Sequence, residues 1–249
     1  MIVFLAAVVI GLSLGLFGSG GSILTVPILL YLLNMPAELA IASSLFIVGA
    51  ISLFAATRSS LKRLVSWQHV ILFALPSMVG TYFGAWFGTL VDGRWQLLIF
   101  AILMFSSAIL MWRKKVQPEH NQLSIKPAIL IIVGLAVGVI TGFVGVGGGF
   151  LIVPALVIFG GLAMLRSIAT SLVIITLQSS VGFIKYYSVL ITKGAIFDWQ
   201  SISLIIVFGI IGSIIGGAIA HHVPKKMLQR GFAVFLLLMA AVVINQSVL

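Results

Sequence analysis

Apolar and polar positions alternate along this chain in long blocks rather than residue by residue. Ten apolar segments can be read. Their limits are about 2–17, 22–34, 38–57, 67–90 and 94–112, then 128–144, 149–160, 164–190, 199–220 and 228–246. Several approach the ~20 residues that cross a bilayer core as a helix. They lack the period-two alternation of barrel strands, so helices are expected. The second segment of each half has about a dozen residues, too few for a comfortable crossing. One long polar stretch, RKKVQPEHNQLSIK from Arg113 to Lys126, separates two near-equal halves. The pattern predicts an all-α polytopic membrane protein. It divides into a first transmembrane repeat over 1–112, a linker over 113–127 and a second repeat over 128–249.

The halves repeat each other. GLFGSGGSILTVP (Gly15 to Pro27) and GFVGVGGGFLIVP (Gly142 to Pro154) match at seven of thirteen positions, at an offset of 127 residues. At the same offset AIASSLFI, starting at Ala40, faces SIATSLVI, starting at Ser167. With five more residues in the second half, Trp67–Gln68 faces Trp199–Gln200, and Gly80 and Gly84 face Gly212 and Gly216. Four matches in one order indicate duplication.

Composition agrees with a membrane protein. Hydrophobic residues make up 61% and charged residues 7%, with mean hydropathy +1.30. Soluble domains carry about 25% charged residues, so this chain has too few to cover a water-exposed surface. The net charge of +10 is read as basic loops beside membrane spans rather than as a nucleic-acid footprint. The first charged residue is Glu38, so the start lacks the basic region of a secretory leader, and the first segment is expected to be retained. No cysteine is present, which excludes disulfides and thiol chemistry.

The charges also orient the chain. If each glycine-broken pair is a hairpin or a re-entrant loop, eleven of the fourteen Lys and Arg fall on one face, leaving Arg94, Lys185 and Lys193 on the other. If each pair is one broken crossing, the split is nine to five. The positive-inside rule prefers the first arrangement. It puts the linker in the cytoplasm and both termini outside, and it makes the halves inverted repeats, a common transporter plan.

Helix breaks at bilayer depth expose backbone groups that cost several kcal/mol each if left unpaired. They persist where protein or a wet cavity satisfies them. A short helix starting after each break has free N–H groups and about +0.5 of a charge at its N-terminus. Two such ends meeting near the midplane would form an anion site without any lysine. Candidate substrate-binding residues are therefore Gly18, Ser19, Gly20, Gly21 and Ser22, with Gly145, Val146, Gly147, Gly148 and Gly149. Ser43, Ser44, Thr170 and Ser171 hold equivalent places on the third segments, as hydroxyl donors or as groups bonding back to their own helix. Gln178, Ser179 and Ser180 lie deeper, read as having no polar match in the first half, and Gln178 joins the candidates. Arg58 and Lys185 match at the repeat offset and would attract an anion at each mouth. Gly80/Gly84 and Gly212/Gly216 have the spacing of close helix packing.

What is missing narrows the function. The four acids, Glu38, Asp92, Glu119 and Asp198, all fall in loops or at segment ends. Proton relays and cation carriers usually hold carboxylates within the bilayer. No Walker loop, zinc signature or catalytic triad is evident, and VGVGGG lacks the soluble βαβ context of a dinucleotide loop. Neither an enzyme, a metal site nor a bound cofactor is expected.

The doubled glycine–proline motif, the following AIASSL and SIATSL, and the later Trp–Gln and glycine-rich segments resemble the TauE/SafE sulfite-exporter family over nearly the whole chain. The family's glycine motif maps onto Gly18, Gly20, Gly21 and Pro27, and onto Gly145, Gly147, Gly148 and Pro154. The resemblance implies a bacterial inner-membrane transporter for sulfite, sulfonates such as sulfoacetate, or taurine-derived anions. Its partners would be the small anion and the lipid bilayer, with no nucleic acid, and the oligomeric state open between monomer and homo-oligomer. The first copy has Ser22 where the second has Gly149, so the site need not be symmetric. The alternative is a membrane scaffold or assembly factor whose glycines serve packing alone.

Overall fold

Apolar side chains on a spanning helix find no hydrophobic contrast with lipid, so helix contacts depend on shape and small residues. This chain follows that rule. A computed structural model describes residues 2–18, 20–113, 127–145 and 149–248. Among them are ten α-helices, one π-helical turn and no strand. The first half holds α1 (Ile2–Phe17), α2 (Gly20–Pro27) followed by the π turn Ile28–Leu32, α3 (Ala37–Leu61), α4 (Trp67–Gly88) and α5 (Gly93–Arg113). The second holds α6 (Pro127–Val144), α7 (Gly149–Ile158), α8 (Met164–Thr192), α9 (Trp199–His222) and α10 (Lys225–Val248). The ten expected segments thus appear as ten helices. α3, α4, α6, α8 and α9 are long and apolar enough to cross a membrane. α3 runs four residues past its expected end and so carries Arg58 within the helix.

The close-packing glycines behave as their spacing predicts. A Cβ on Gly80 or Gly84 would lie 2.8 Å from the backbone nitrogen of Val139 or Phe143 on α6. A Cβ on Gly212 would lie 2.9 Å from the backbone nitrogen of Leu12 on α1, and one on Gly216 would lie 3.0 Å from that of Leu16. The packing partners therefore exchange between halves: α4 lies on α6, and α1 lies on α9.

Neighbouring residues fix the helix directions. Gly134 meets Phe73, Gly138 meets Ser77 and Gly142 meets Thr81, so α4 and α6 run parallel. Gly11 meets Gly209 and Gly15 meets Ser213, so α1 and α9 run parallel. The Phe46–Trp199 ring pair and the Arg58–Ile214 hydrogen bond make α3 parallel to α9. The Ser66–Thr170 bond and the approach of Gly182 to Thr81 make α4 parallel to α8. The equivalent helices α3 and α8 run antiparallel, because Gly49 faces Ser179 while Gly182 faces Leu45. α5 and α10 meet end to start, with Gln229 donating to the Met111 carbonyl and Arg230 over the Trp112 ring.

These directions decide between the two arrangements of the glycine-broken pairs. α1 and α3 both run with α9, so the short helix between them must return the chain. Gly21 indeed lies back against Leu14 and Ile10. α6 and α8 both run with α4, so α7 returns the chain as well. A single broken crossing would have left α1 and α3 antiparallel. One face of the bundle accordingly carries Arg58, Lys62, Arg63, Arg113, Arg166, Lys226 and Arg230, and is called the basic face below. The linker 114–126 lies outside the described residues.

Candidate functional site

Each break begins with a glycine that ends a helix in the left-handed region. Gly18 has φ +70° and Gly145 has φ +69°. Their N–H groups close the last turn on the carbonyls of Leu14 and Thr141, at 2.8 and 2.9 Å. Only a residue without a Cβ holds this conformation cheaply. The freed carbonyls are then taken by serines from the opposite half. Ser171 donates to the Gly18 oxygen at 3.1 Å, and Ser44 donates to the Gly145 oxygen at 3.3 Å. Each serine also bonds back to its own helix, at Ile168 and Ile41. The four residues obey the repeat offset of 127, and each half completes the other's break.

The two described break glycines do not meet at the midplane. With Gly49 opposite Ser179, Ser44 lies level with about residue 184 of α8, roughly thirteen residues from Ser171. At about 1.5 Å per residue the separation is about 20 Å along the helix axes. Antiparallel pairing of α3 and α8 is the cause, since it sends equivalent residues to opposite depths. Gly145 is enclosed: a Cβ there would strike Ile41 and lie 3.4 Å from the Tyr186 hydroxyl. Ser19, Val146, Gly147 and Gly148 lie outside the described residues. α2 starts at Gly20 and α7 at Gly149, Gly21 packs on Leu14, and Ser22 falls in the first turn of α2.

The other candidates separate into distinct places. Thr170 accepts from the Ser66 N–H at 3.1 Å, tying the α3–α4 turn to α8. Beside it, buried His69 bridges Ser66 and the Gly160 carbonyl at 2.7 and 3.0 Å, a link that its place near a segment end does not announce. Ser43 is buried on α3. Lys185 rests over the Tyr82 ring at 5.3 Å.

Arg58 lines a cavity of about 50 Å³ at the basic face, between α1, α3, α8 and α9. At ~10–15 Å³ for each water, that is room for a few waters or a small oxyanion. Arg58 and Lys62 flank it, Ser59 and Ser213 add hydroxyls, and Gly15 and Ile168 connect it to the first break. Repeat exchange maps this site onto the far face, where Gly15 becomes Gly142, Ile168 becomes Ile41 and Ser59 becomes Tyr186. There the phenol fills the space. Tyr186 is 2% exposed, and its hydroxyl donates to the Phe143 carbonyl at 3.1 Å. Gln96 closes the same corner by donating to the Gly88 carbonyl. Sequence inspection passed over Ser59, Lys62, Ser213 and Tyr186; the repeat offset, carried past the third segments, pairs Ser59 with Tyr186.

A second polar group lies at the centre. Among the described residues, five buried side-chain polar atoms have no hydrogen-bond partner. They are Ser52 Oγ, Thr81 Oγ1, Ser179 Oγ, and Nε2 and Oε1 of Gln178. Ser179 does have a polar match in the first half, contrary to expectation: it is Ser52, 127 residues earlier. The floor of the basic-face cavity at Ala55 is one helical turn from Ser52.

The family described as "Sulfite exporter TauE/SafE" matches residues 3–243. A "Probable membrane transporter protein" of Xylella fastidiosa is 31% identical over 245 residues, covering 96% of this chain and 92% of that protein. The "Probable membrane transporter protein YdhB" of Bacillus subtilis is 26% identical over 242 residues, covering 95% and 96%. One from Methanocaldococcus jannaschii is 27% identical over 202 residues, covering 79% and 75%. No solved structure matches. With its helix breaks, its apolar spans and a match across nearly its full length, this multi-pass membrane protein belongs to the TauE/SafE sulfite-exporter family of membrane transporters.

Proposed function

We propose that the chain is a secondary transporter or facilitator of small sulfur-containing anions, such as sulfite or sulfonates, working by alternating access. The observation that carries this reading is an asymmetry between equivalent places. The basic-face cavity is open beside Arg58 and Lys62, while its repeat counterpart is filled by Tyr186. Exchange of the two states would open one mouth and close the other. Antiparallel α3/α8 and α5/α10 pairs support reading the halves as inverted repeats. The positive-inside rule then puts the basic face in the cytoplasm, with both termini outside a bacterial inner membrane.

In this reading an anion enters between Arg58 and Lys62, whose charges raise its local concentration. It then passes toward the Gly18 break, where Ser59 and the first amides of α2 replace part of its water shell. Uptake of labelled sulfite and sulfoacetate by proteoliposomes holding the full chain tests the proposal. Uptake above that of protein-free vesicles, weakened by Arg58→Gln with Lys62→Gln, is expected. Uptake equal to that of protein-free vesicles for every anion counts against it.

A further inference from the structure

Serine and threonine in apolar helices normally bond back to a carbonyl three or four residues earlier. Most of those on the packed helices here do so: Ser44, Ser77, Thr176, Ser180 and Ser213 each donate to such a carbonyl. Ser52, Thr81 and Ser179 do not, and Gln178 beside them has neither amide atom paired. All four residues are 2% exposed or less.

They also share one depth. Gly49 faces Ser179, which brings Ser52 level with about residue 176 of α8, and Thr81 lies against Gly182. The whole group therefore spans about six residues of α8, or roughly 9 Å along its axis. That slab is centred on the middle of a helix running from Met164 to Thr192. Leaving a buried polar group unpaired is destabilising, because its lost hydration is not replaced. Such a group calls for a partner that is absent when the site is closed.

We infer that Ser52, Thr81, Gln178 and Ser179 form a mid-membrane binding site for a singly charged sulfur-oxyanion head, a sulfonate or bisulfite. The inference rests on the transport reading and deepens it. Three hydroxyls and one amide supply five N–H and O–H donors, which suit the three oxygens of such a head. Of the four, Ser179 also borders an open groove of about 410 Å³ between α3 and α8, edged by the exposed Leu53 and Ile184. No cation faces the group along α8: Lys185, the next charge on that helix, is turned onto the Tyr82 ring. On α3 the nearest cation, Arg58, is six residues from Ser52 and is engaged by the Ile214 carbonyl, so neutral donors must offset most of the desolvation of the ion. That cost rises with the square of the charge. A dianion of the same size is therefore rejected.

Methanesulfonate and sulfate are near-isosteres that differ by one charge, so they separate this idea from general anion attraction. Thermal unfolding of the purified full-length protein is followed with each, at equal ionic strength. Methanesulfonate is expected to raise the Tm of the wild type, and sulfate is not. Gln178→Leu and the pair Ser52→Ala with Ser179→Ala are expected to weaken methanesulfonate binding at least about tenfold, the loss of one or two charge-assisted hydrogen bonds. Both are small apolar changes in an apolar setting. Equal stabilisation by sulfate, or wild-type methanesulfonate affinity in both variants, overturns the inference. If those variants also carry sulfite at the wild-type rate, the central site falls while the transport reading stands. If the wild type neither binds nor carries any anion, both fall.

Discussion

Gly18 and Gly145 show what one missing methyl group does. Either as alanine would hold a left-handed conformation that costs about 1–2 kcal/mol. Alanine at 145 would also press its Cβ into Ile41, and at 18 it would lie 2.8 Å from the Ile168 backbone. Gly18→Ala and Gly145→Ala are expected to lower the Tm clearly. Equal melting of alanine and wild-type proteins would contradict the assignment. Asp198 offers a smaller effect outside the membrane. Its carboxylate caps α9 by accepting from the Ser201 N–H at 3.1 Å, and hydrogen bonding from the Ser201 side chain, then from that N–H, holds its pKa below the ordinary carboxylate range. A lowered folded-state pKa stabilises above the ordinary pKa and loses that contribution as pH falls through the lowered value. Asp198→Ala should therefore cost about 1 kcal/mol at neutral pH, as cap removals do, and the Tm gap should close on acidification.

At the scale of elements, ten apolar segments and the close-packing role of Gly80/Gly84 and Gly212/Gly216 were legible, because segment length and small-residue spacing are local properties, whereas the helices they pack on, α6 and α1, were not. The depth of each break was not legible. It follows from the antiparallel register of α3 on α8, a long-range pairing that a repeat offset alone leaves open. For the same reason the unpaired Ser52 and Thr81 escaped notice: nothing near them distinguishes them from hydroxyls that bond back. The repeat offset does expose the swap of Ser59 for Tyr186, and this carries a prediction. Tyr186→Ala should unplug the far-side counterpart of the basic-face cavity. Because the chain has no cysteine, Ser44→Cys can serve as a single reporter there. A membrane-impermeant maleimide added to the outside should label it faster in the Tyr186→Ala background. An unchanged labelling rate would show that the phenol is not the barrier.

At the scale of the whole molecule, two halves complete each other's broken helices, with a cavity at the basic face and Tyr186 in its repeat counterpart. Each half holds the other through Ser171 on Gly18 and Ser44 on Gly145, so movement of one half is coupled to both breaks. A scaffold would use the same glycine packing but leaves the cavity beside Arg58 and Lys62 without a purpose. Counterflow separates a carrier from a passive pore or a scaffold most directly. Proteoliposomes holding the full chain are preloaded with unlabelled sulfite and diluted into a trace of labelled sulfite. Alternating access predicts a transient accumulation of label above its equilibrium level, because the returning carrier exchanges one anion for another. Entry of label that is unaffected by preloading, or no entry at all, contradicts it.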